Sequence, residues 1–533
     1  MKKSARRATD APFLLSNWNL QMPNRSFLAT ALTLAASPTF ADITADDVWN
    51  NRIALVQAFG GTIDATLERD GNMLFVNDIL FSYALPFEAG TIRSTLPPMT
   101  MIEQDDGTVS IIYPKKITYR FELDYPSLTD EKFSGEIQVE QAELKTSASG
   151  VAGALTYQQS AGAYSGKFNV DLGDDAIDNG VRMSMIFSGE SYSHTTTVNE
   201  GELIEIVSSI SYGPQGYELE ANEGFGTRSV DKGRYGALEA QARAAFPARG
   251  LDVLNLSTAL RDGMFIQTSQ SMASSSGEQT DYINNDAVVS VDHTCGTSSS
   301  TVNISADGVL IDSLVDDCSG DFVTSSWMDL AGLNSAIKAQ AASLSMSLNI
   351  PVLSTDTPTN AKYQMGIGGA NISDNIWDRF DPGGILSRDK MDMNIDLSAD
   401  IMHNVEWLDF LNIENGLLIN QNPVELHNLT INAFDLSAAG ASIESKGAFT
   451  FDMNDLDTFD GMPRPAGAAE ILLTGVHELL DNLVSIGVVA SQDVTMPRMM
   501  IGMFTRDDGN GTLTTSVEIN DDGEIRMNGE RVK

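Results

Sequence analysis

Positive charge is scarce in this chain. Its 33 lysines and arginines stand against 73 aspartates and glutamates, which gives a net charge of −40 over 533 residues. Proteins bind nucleic acid with clustered lysine and arginine, because those cations release the counterions of the phosphate backbone. The sequence has no such cluster, and so acidic a surface repels phosphate backbones and anionic headgroups. Nucleic acid is therefore excluded as a partner.

Residues that usually carry catalysis or bind metals are also few. The five histidines occur in no H-x-x-x-H or H-E-x-x-H spacing, and the nucleophile elbow, the P-loop and the dinucleotide fingerprint are absent. We predict no catalytic residue, no metal and no cofactor, and hence no enzyme. One alternative stays open, since a hydrolase of an envelope polymer needs only two carboxylates that meet in space.

Long apolar runs are missing after Ala41, so we predict no transmembrane segment in the mature chain. Before that point, Met22–Arg25 lead into an apolar stretch, Ser26–Ala36, and Thr39-Phe40-Ala41 carries the small residues that signal peptidase reads. We expect residues 1–41 to be a signal-peptide region, with Met22 as the alternative start. The mature protein is then expected in the periplasm.

Only two cysteines occur, Cys295 and Cys318, and they flank a predicted hairpin. Its strands run from Ser299 to Ile304 and from Val309 to Leu314. In an oxidising compartment this arrangement predicts a disulfide. The alternative is a redox or metal thiol pair, but the C-x-x-C spacing is absent and His293 is the one nearby second ligand.

The strongest positive signal is alternation of apolar and polar residues with a period of two. Residues 117–125 alternate in this way, and so do residues 391–401, where Met393, Ile395 and Leu397 share one side. Such strands are typical of half-buried antiparallel sheets. We predict a mainly β (α+β) fold: an extended curved antiparallel sheet of hairpins with a few packing helices. The predicted regions are 42–330, N-terminal and β-rich, and 331–533, C-terminal and β-rich with two late helices.

A few segments are predicted to be helical. Thr44 caps the first helix, with Val48, Trp49 and Leu55 on its apolar side and Gly60-Gly61 at its end. The other predicted helices are Gly236–Phe246, Ser257–Gly263, Leu333–Ser345, Asp374–Phe380, one with a stripe from Val476 to Ile486, and one that Pro497 opens.

Two places are candidates for binding an apolar ligand. Met499, Met500 and Met503 of the last helix are expected to point inward, where methionine either fills the core or lines a hydrophobic site. Trp377 and Phe380 precede Asp381-Pro382-Gly383-Gly384, and this segment is interpreted as a tight structural corner or as a binding lip.

Several segments of the C-terminal third form a recognisable set: Asn375–Gly384 with Leu386, Arg388 and Asp389; Leu429–Ile431 with Leu436–Ala441; Gly461–Pro465; Arg498–Phe504; and Asn528–Arg531. The set resembles an exported family of Gram-negative bacteria known as domain of unknown function 2125. That resemblance implies no assigned reaction and no catalytic residues. The C-terminal pattern is also similar to that of AsmA-like envelope proteins, which implies a curved sheet associated with lipid handling.

Together these observations predict a non-enzymatic periplasmic protein. Its apolar sheet face is expected to bind lipid or another hydrophobic partner. The alternative is a structural or interaction protein of the cell envelope, which contacts a partner protein without holding a ligand.

Overall fold

The computed structural model describes residues 42–124, 132–171, 182–224, 226–324, 337–419, 422–509 and 511–533. The predicted signal-peptide region, residues 1–41, lies outside the described residues. Within them the chain is mainly β, and its strands form one large curved antiparallel sheet with few helices. The predicted fold class is confirmed.

The elements have the following bounds. The strands are β1 Thr62–Asp70, β2 Met73–Ala84, β3 Thr91–Thr95, β4 Met99–Glu103, β5 Val109–Ile112, β6 Lys116–Asp124, β7 Lys132–Gln141, β8 Lys145–Val151, β9 Ala154–Ala161, β10 Tyr164–Asp171, β11 Arg182–Gly189, β12 Tyr192–Asn199, β13 Leu203–Tyr212, β14 Gln215–Gly224, β15 Thr227–Tyr235, β16 Leu238–Pro247, β17 Phe265–Met272, β18 Ser275–Ile283, β19 Asp286–Cys295, β20 Ser298–Ser305, β21 Gly308–Thr324, β22 Ile337–Ile350, β23 Thr359–Ile372, β24 Met391–His403, β25 Val424–Ala438, β26 Ala441–Asp452, β27 Arg464–Thr474, β28 Arg506–Asp507, β29 Thr512–Ile519, β30 Ile525–Met527 and β31 Glu530–Arg531. The helices are α1 Ala45–Ala58, α2 Leu256–Arg261, α3 Asp374–Phe380, α4 Ile413–Ile419, α5 Val476–Ser485 and α6 Thr495–Phe504.

Most strands before β21 are halves of longer, kinked strands. β3 continues into β4 after a link of three residues, β9 into β10 after a link of two, and each later pair up to β19 and β20 does the same. The halves pair in two separate arrays, which we call the first row and the second row. The first row is β3, β6, β7, β10, β11, β14, β15, β18 and β19, and the second row is β4, β5, β8, β9, β12, β13, β16, β17 and β20. β21 spans both rows, because it pairs with β20 and with β19.

The links between the rows lie side by side and form what we call the crease. The N–H of Gly162 donates to the carbonyl of Ala142 at 2.9 Å, and that of Gly236 donates to the carbonyl of Ser274 at 2.8 Å. Along a regular strand, one residue separates successive side chains that point inward, but at these links two residues separate them. An extra residue of this kind bends a strand. Because all the links lie at one level, the whole sheet bends along one line.

Aromatic rings lie over glycines on one face of the first row. Phe121 stands directly opposite Gly135 in the β6–β7 ladder, and a β-carbon built on Gly135 would lie 2.0 Å from Cζ of Phe121. The same arrangement recurs across the row, in the pairs Phe187–Gly166, Tyr164–Gly189, Tyr217–Gly233 and His293–Gly277. These glycines provide the space that the rings occupy.

The buried core lies where α1 packs against the second row. As predicted, Thr44 caps α1, and Thr44 and Asp47 form a reciprocal capping box. Val48 and Trp49 of α1 are buried, and the hydroxyl of Tyr157 in β9 donates to Oδ1 of Asn51 at 2.9 Å. We call the face of the sheet that carries Tyr157 the inner face.

Two predicted helices are strands in the structure. The segment Gly236–Phe246 lies largely in β16, and the described part of Leu333–Ser345 lies in β22. Both are rich in alanine, which favours helices, but both are flanked by strands on each side and continue the sheet. The predicted helices at α1, α2, α3, α5 and α6 are confirmed.

The predicted disulfide is confirmed as well. Cys295 ends β19 beside the crease, Cys318 lies in β21, and the two are bonded. The bond therefore joins β19 to β21 at the level of the crease. β21 belongs to the predicted region 42–330 and β22 to the predicted region 331–533, and the two strands pair. The two predicted regions therefore share one sheet.

Candidate functional site

Apolar side chains form continuous lines across the inner face of β22 to β26. Strand pairing sets Met346 opposite Met365, Met365 opposite Ile395, and Ile395 opposite Phe434. Adjacent strands are about 4.8 Å apart, so these side chains touch one another along a line perpendicular to the strands. We call this line and its two neighbours the apolar tracks; the neighbours are Leu344, Ile367, Met393, Leu436, Ile443 and Leu473, and Leu348, Tyr363, Leu397 and Ile431.

The apolar tracks lie on the same face as the buried core but outside it. Among the residues that follow β21 in the chain, the described core cluster includes Leu353 and Leu408, which lie in loops. It includes no residue of the tracks. Met346 is 38% exposed, and Phe434 and Leu436 are each 40% exposed. A single exposed apolar residue is ordinary, whereas a contiguous apolar surface indicates a binding site.

The described helices leave this surface open. α4, α5 and α6 have no buried residue, and α3 buries Trp377 alone. Of these helices, α5 lies against β26 at the margin of the tracks. The inner face of β22 to β26 therefore stays partly exposed, most clearly at Met346, Phe434 and Leu436.

The methionines of α6 point away from the protein. Met499, Met500 and Met503 are 54%, 50% and 66% exposed, and Met496 completes the same helical face at 62%. The expectation that Met499, Met500 and Met503 point inward is wrong. The rotation of α6 is fixed by its other side, where Arg498 pairs with Asp481 of α5 and the side-chain amide of Asn528 donates to the carbonyl of Phe504 at 2.8 Å. As a possible ligand surface these residues remain a prediction.

Trp377 and Phe380 form a packed corner. Their ring centroids are 5.2 Å apart, and Trp377 is buried at 5% exposure. The N–H of Asp381 donates to the carbonyl of Trp377 at 2.8 Å and ends α3. A ligand that lies on the sheet would reach little of Trp377, and this geometry fits the structural-corner interpretation.

Asp381 and Arg388 hold that corner together. The N–H groups of Ile385 and Leu386 donate to the Asp381 carboxylate at 2.9 and 2.8 Å, and they lower its pKa. Arg388 pairs with Asp374 at 2.9 Å and with Asp378 at 2.7 Å. Two ion pairs and two backbone hydrogen bonds thus hold the corner together, although Nε1 of Trp377 and Nε of Arg388 have no partner within the described residues.

A serine and a histidine do meet on the inner face of the second row. Nε2 of His194 lies 2.9 Å from Oγ of Ser208 and 3.0 Å from Oγ1 of Thr196. Burial lowers the pKa of His194 to about 4. A catalytic base works best with a pKa near the working pH. These features favour a structural role for the three residues.

The acidic cluster of Asp452 and Asp455 is paired with an arginine. Arg464 binds Asp452 at 2.8 Å and Asp455 at 2.7 Å, which orders the acidic loop before β27. Across the described ranges, no three histidine, cysteine or acidic side chains are placed to hold a metal ion. No helix in the part of the chain that the structure describes has both the length and the apolar character to cross a membrane.

The residues of the apolar tracks were only partly visible in the sequence. The alternation in β24 predicted that Met393, Ile395 and Leu397 share a face, and the structure confirms it. Met346 and Phe434 could not be added from the sequence, because strand pairing decides which side chains become neighbours. The signal available was the same period of two in β22 and β25.

Comparison with known proteins leaves this surface to be interpreted from its geometry. No protein-family model, no curated protein and no solved structure matches the chain. The resemblance to the exported family and to AsmA-like proteins therefore stays a prediction.

Proposed function

We propose that this is a non-enzymatic periplasmic protein that binds lipid, or another hydrophobic ligand, along the apolar tracks. One observation carries the proposal: a contiguous apolar surface on β22 to β26 that lies outside the core and stays partly exposed. A folded protein gains stability by covering such a surface, so its exposure indicates a partner.

The dimensions of the tracks suit an extended hydrocarbon chain. The line from Met346 to Phe434 crosses four strands, and its three intervals of about 4.8 Å span about 14 Å. Each methylene group that leaves water contributes about 0.8 kcal/mol, so ten of them contribute about 8 kcal/mol before the entropic cost of binding. Hydrophobic contact alone is thus sufficient for useful affinity.

Mass spectrometry of co-purified lipid is the direct test. The protein is purified gently, its lipids are extracted, and the same is done for a variant with Met365→Ser and Phe434→Ser. We expect one lipid class at stoichiometric amount in the native protein and a loss of that lipid in the variant. The matched control carries Lys362→Ser and Lys446→Ser, exposed positions on β23 and β26, and should retain the lipid. Native protein that is repeatedly empty would contradict the proposal.

The second candidate is a structural or interaction protein of the cell envelope. Four methionine side chains on one face of α6 are each at least 50% exposed. This exposed face favours the second candidate. Flexible methionine side chains adapt to varied protein surfaces. Crosslinking in intact cells separates the two candidates, since an interaction protein gives one reproducible protein adduct that depends on Met499 and Met503.

A further inference from the structure

Exposed apolar side chains cluster in the segment between β24 and β25. Three successive side chains at the end of α4, Leu417, Leu418 and Ile419, are 43%, 84% and 79% exposed. Phe410 and Leu411, at the start of the same segment, are 45% and 53% exposed, and we call the five residues the apolar tip. Leu418 and Ile419 are the two most exposed large apolar side chains in the part of the chain that the structure describes. A cluster of bare apolar side chains indicates a surface that a partner covers.

The apolar tip is held in place from its base. The N–H of Phe410 donates to the carbonyl of Leu254 at 2.8 Å, which ties the segment to the loop before α2. On α4, Gly416 faces the protein, because a β-carbon built on it would lie 3.0 Å from Cγ1 of Val405, a buried residue. With Gly416 against Val405, the apolar side chains of the last helical turn are directed away from the protein. The tip is therefore a fixed projection.

An apolar path joins the tip to the apolar tracks. Leu397 belongs to the track nearest the tip, and beyond it the inner positions of β24 and β25 are also apolar: Ala399, Ile401, Leu426 and Leu429. The path ends at Val424, which begins β25 and is 41% exposed. From Leu397 to the end of β24 the path is about 20 Å long, at about 3.4 Å per residue.

The chemistry of the tip favours a bilayer over a protein as the partner. No residue from Asn415 to Val424 is charged, although 20% of the whole chain is. Protein interfaces are enriched in arginine, methionine and aromatic residues within a polar rim, whereas the end of α4 carries three aliphatic side chains in succession. A projecting segment of this kind can lie among lipid headgroups and bury its side chains at the acyl boundary.

We propose that the apolar tip docks this protein on a lipid bilayer. The inference rests on the proposed function, because docking at the tip brings the apolar path, and through it the tracks, to the membrane from which a lipid would come. Hydrophobic contact has to carry the binding, since anionic headgroups repel a chain with a net charge of −40. The bilayer that the tip fits is therefore zwitterionic.

Flotation of the mature chain with lipid vesicles tests the docking. We expect binding to phosphatidylcholine vesicles, and weaker binding when part of the phosphatidylcholine is replaced by phosphatidylglycerol. The double variant Leu418→Ser/Ile419→Ser should weaken binding at least about tenfold, because two large apolar side chains no longer leave water. The matched control, Ile112→Ser/Ile186→Ser, changes two side chains of 53% and 55% exposure on β5 and β11, and it should bind as the native protein does.

A second variant keeps the test independent of any change in folding. Leu418→Trp places an indole at the tip, and tryptophan is enriched at membrane interfaces, so this variant should still bind. Brominated phosphatidylcholine quenches indole fluorescence at close range. We expect it to quench the fluorescence of Leu418→Trp more strongly than that of the native protein. Equal quenching of the two proteins would overturn the proposal.

The outcomes separate this inference from the proposed function. Vesicle binding that depends on Leu418 and Ile419, by a protein that is always empty of lipid, would contradict the proposed function and support the docking. A protein that carries lipid but ignores phosphatidylcholine vesicles would overturn the docking alone. The docking is also overturned if the double serine variant binds as the native protein does, or if binding requires phosphatidylglycerol. A concentration-dependent dimer that the double variant abolishes, without vesicle binding, would assign the tip to a second copy of the chain and overturn it as well.

Discussion

The ring-over-glycine packing of the first row predicts that a single methyl group will be destabilising at Gly135 and tolerated once Phe121 is removed. A β-carbon at position 135 would lie 2.0, 2.4 and 2.8 Å from three atoms of the Phe121 ring, well inside the contact distance of about 3.5 Å between carbon atoms. Such overpacking costs about 1–3 kcal/mol, so Gly135→Ala should lower the stability of this region by that amount.

In a Phe121→Ala background the sign should reverse. No ring then opposes the methyl group, and replacing a strand glycine by alanine gains about 0.5–1 kcal/mol. All three close contacts at Gly135 come from Phe121, which makes this pair a cleaner test than Gly166, where the carbonyl of Gln138 is also near.

Hydrogen exchange measured by mass spectrometry reports the effect locally. A change of about 1–3 kcal/mol raises the exchange rate of β6 and β7 amides about 5- to 150-fold in Gly135→Ala. Gly502→Ala in α6 is the control, because nothing lies within 4 Å of its β-carbon, and exchange should not rise there. Unchanged protection in Gly135→Ala, or an equal increase in both backgrounds, would refute the packing argument.

Two further predictions concern stability. The disulfide between Cys295 and Cys318, which are 23 residues apart, should contribute about 3 kcal/mol to the free energy of unfolding, so the double serine variant should have a lower urea midpoint than the oxidised protein, and equal midpoints would contradict this. His194 has a folded-state pKa of about 4 against an ordinary value of 6.5, so the unfolded chain binds its proton first as the pH falls. Stability should therefore decrease by up to about 3 kcal/mol from above pH 6.5 down to about pH 4. His194→Gln should remove that part of the pH dependence of the urea midpoint, and an unchanged slope would show that other groups cause it.

Local patterns were sufficient to predict much of the secondary structure. The cap at Thr44 and the helix Asp374–Phe380 each depend on residues close in sequence, and both are present. The disulfide was predictable for the same reason, since the hairpin that Cys295 and Cys318 flank is short.

The errors arose where tertiary contacts outweigh local preference. The alanines of β16 favour a helix, but Leu238, Ala240 and Phe246 also alternate with polar residues and fit a strand between β13 and β17. The crease was missed in part because Gly236-Ala237, one of its links, falls at the start of the predicted helix Gly236–Phe246. Short segments that suggested separate hairpins are instead halves of one kinked strand.

The candidate site was predictable in kind but not in place. An apolar sheet face follows from the period of two, whereas its open stretch depends on the register that sets Met365 beside Ile395 and Phe434. Trp377 and Met499 were chosen for their residue types, and the structure places the first in a packed corner and the second on the solvent side of α6.

The crease constrains how a chain of this kind can change in length. Inserting one residue within a half-strand would reverse the orientation of every side chain from there to the next link. The apolar and polar faces of that segment would then be exchanged. A complete kinked hairpin, by contrast, can be added or removed without disturbing its neighbours, because both rows grow by the same amount. Variation among related sequences is therefore expected as whole hairpins or at hairpin tips, and the reach of the molecule should increase in steps of two strands, about 10 Å at a time.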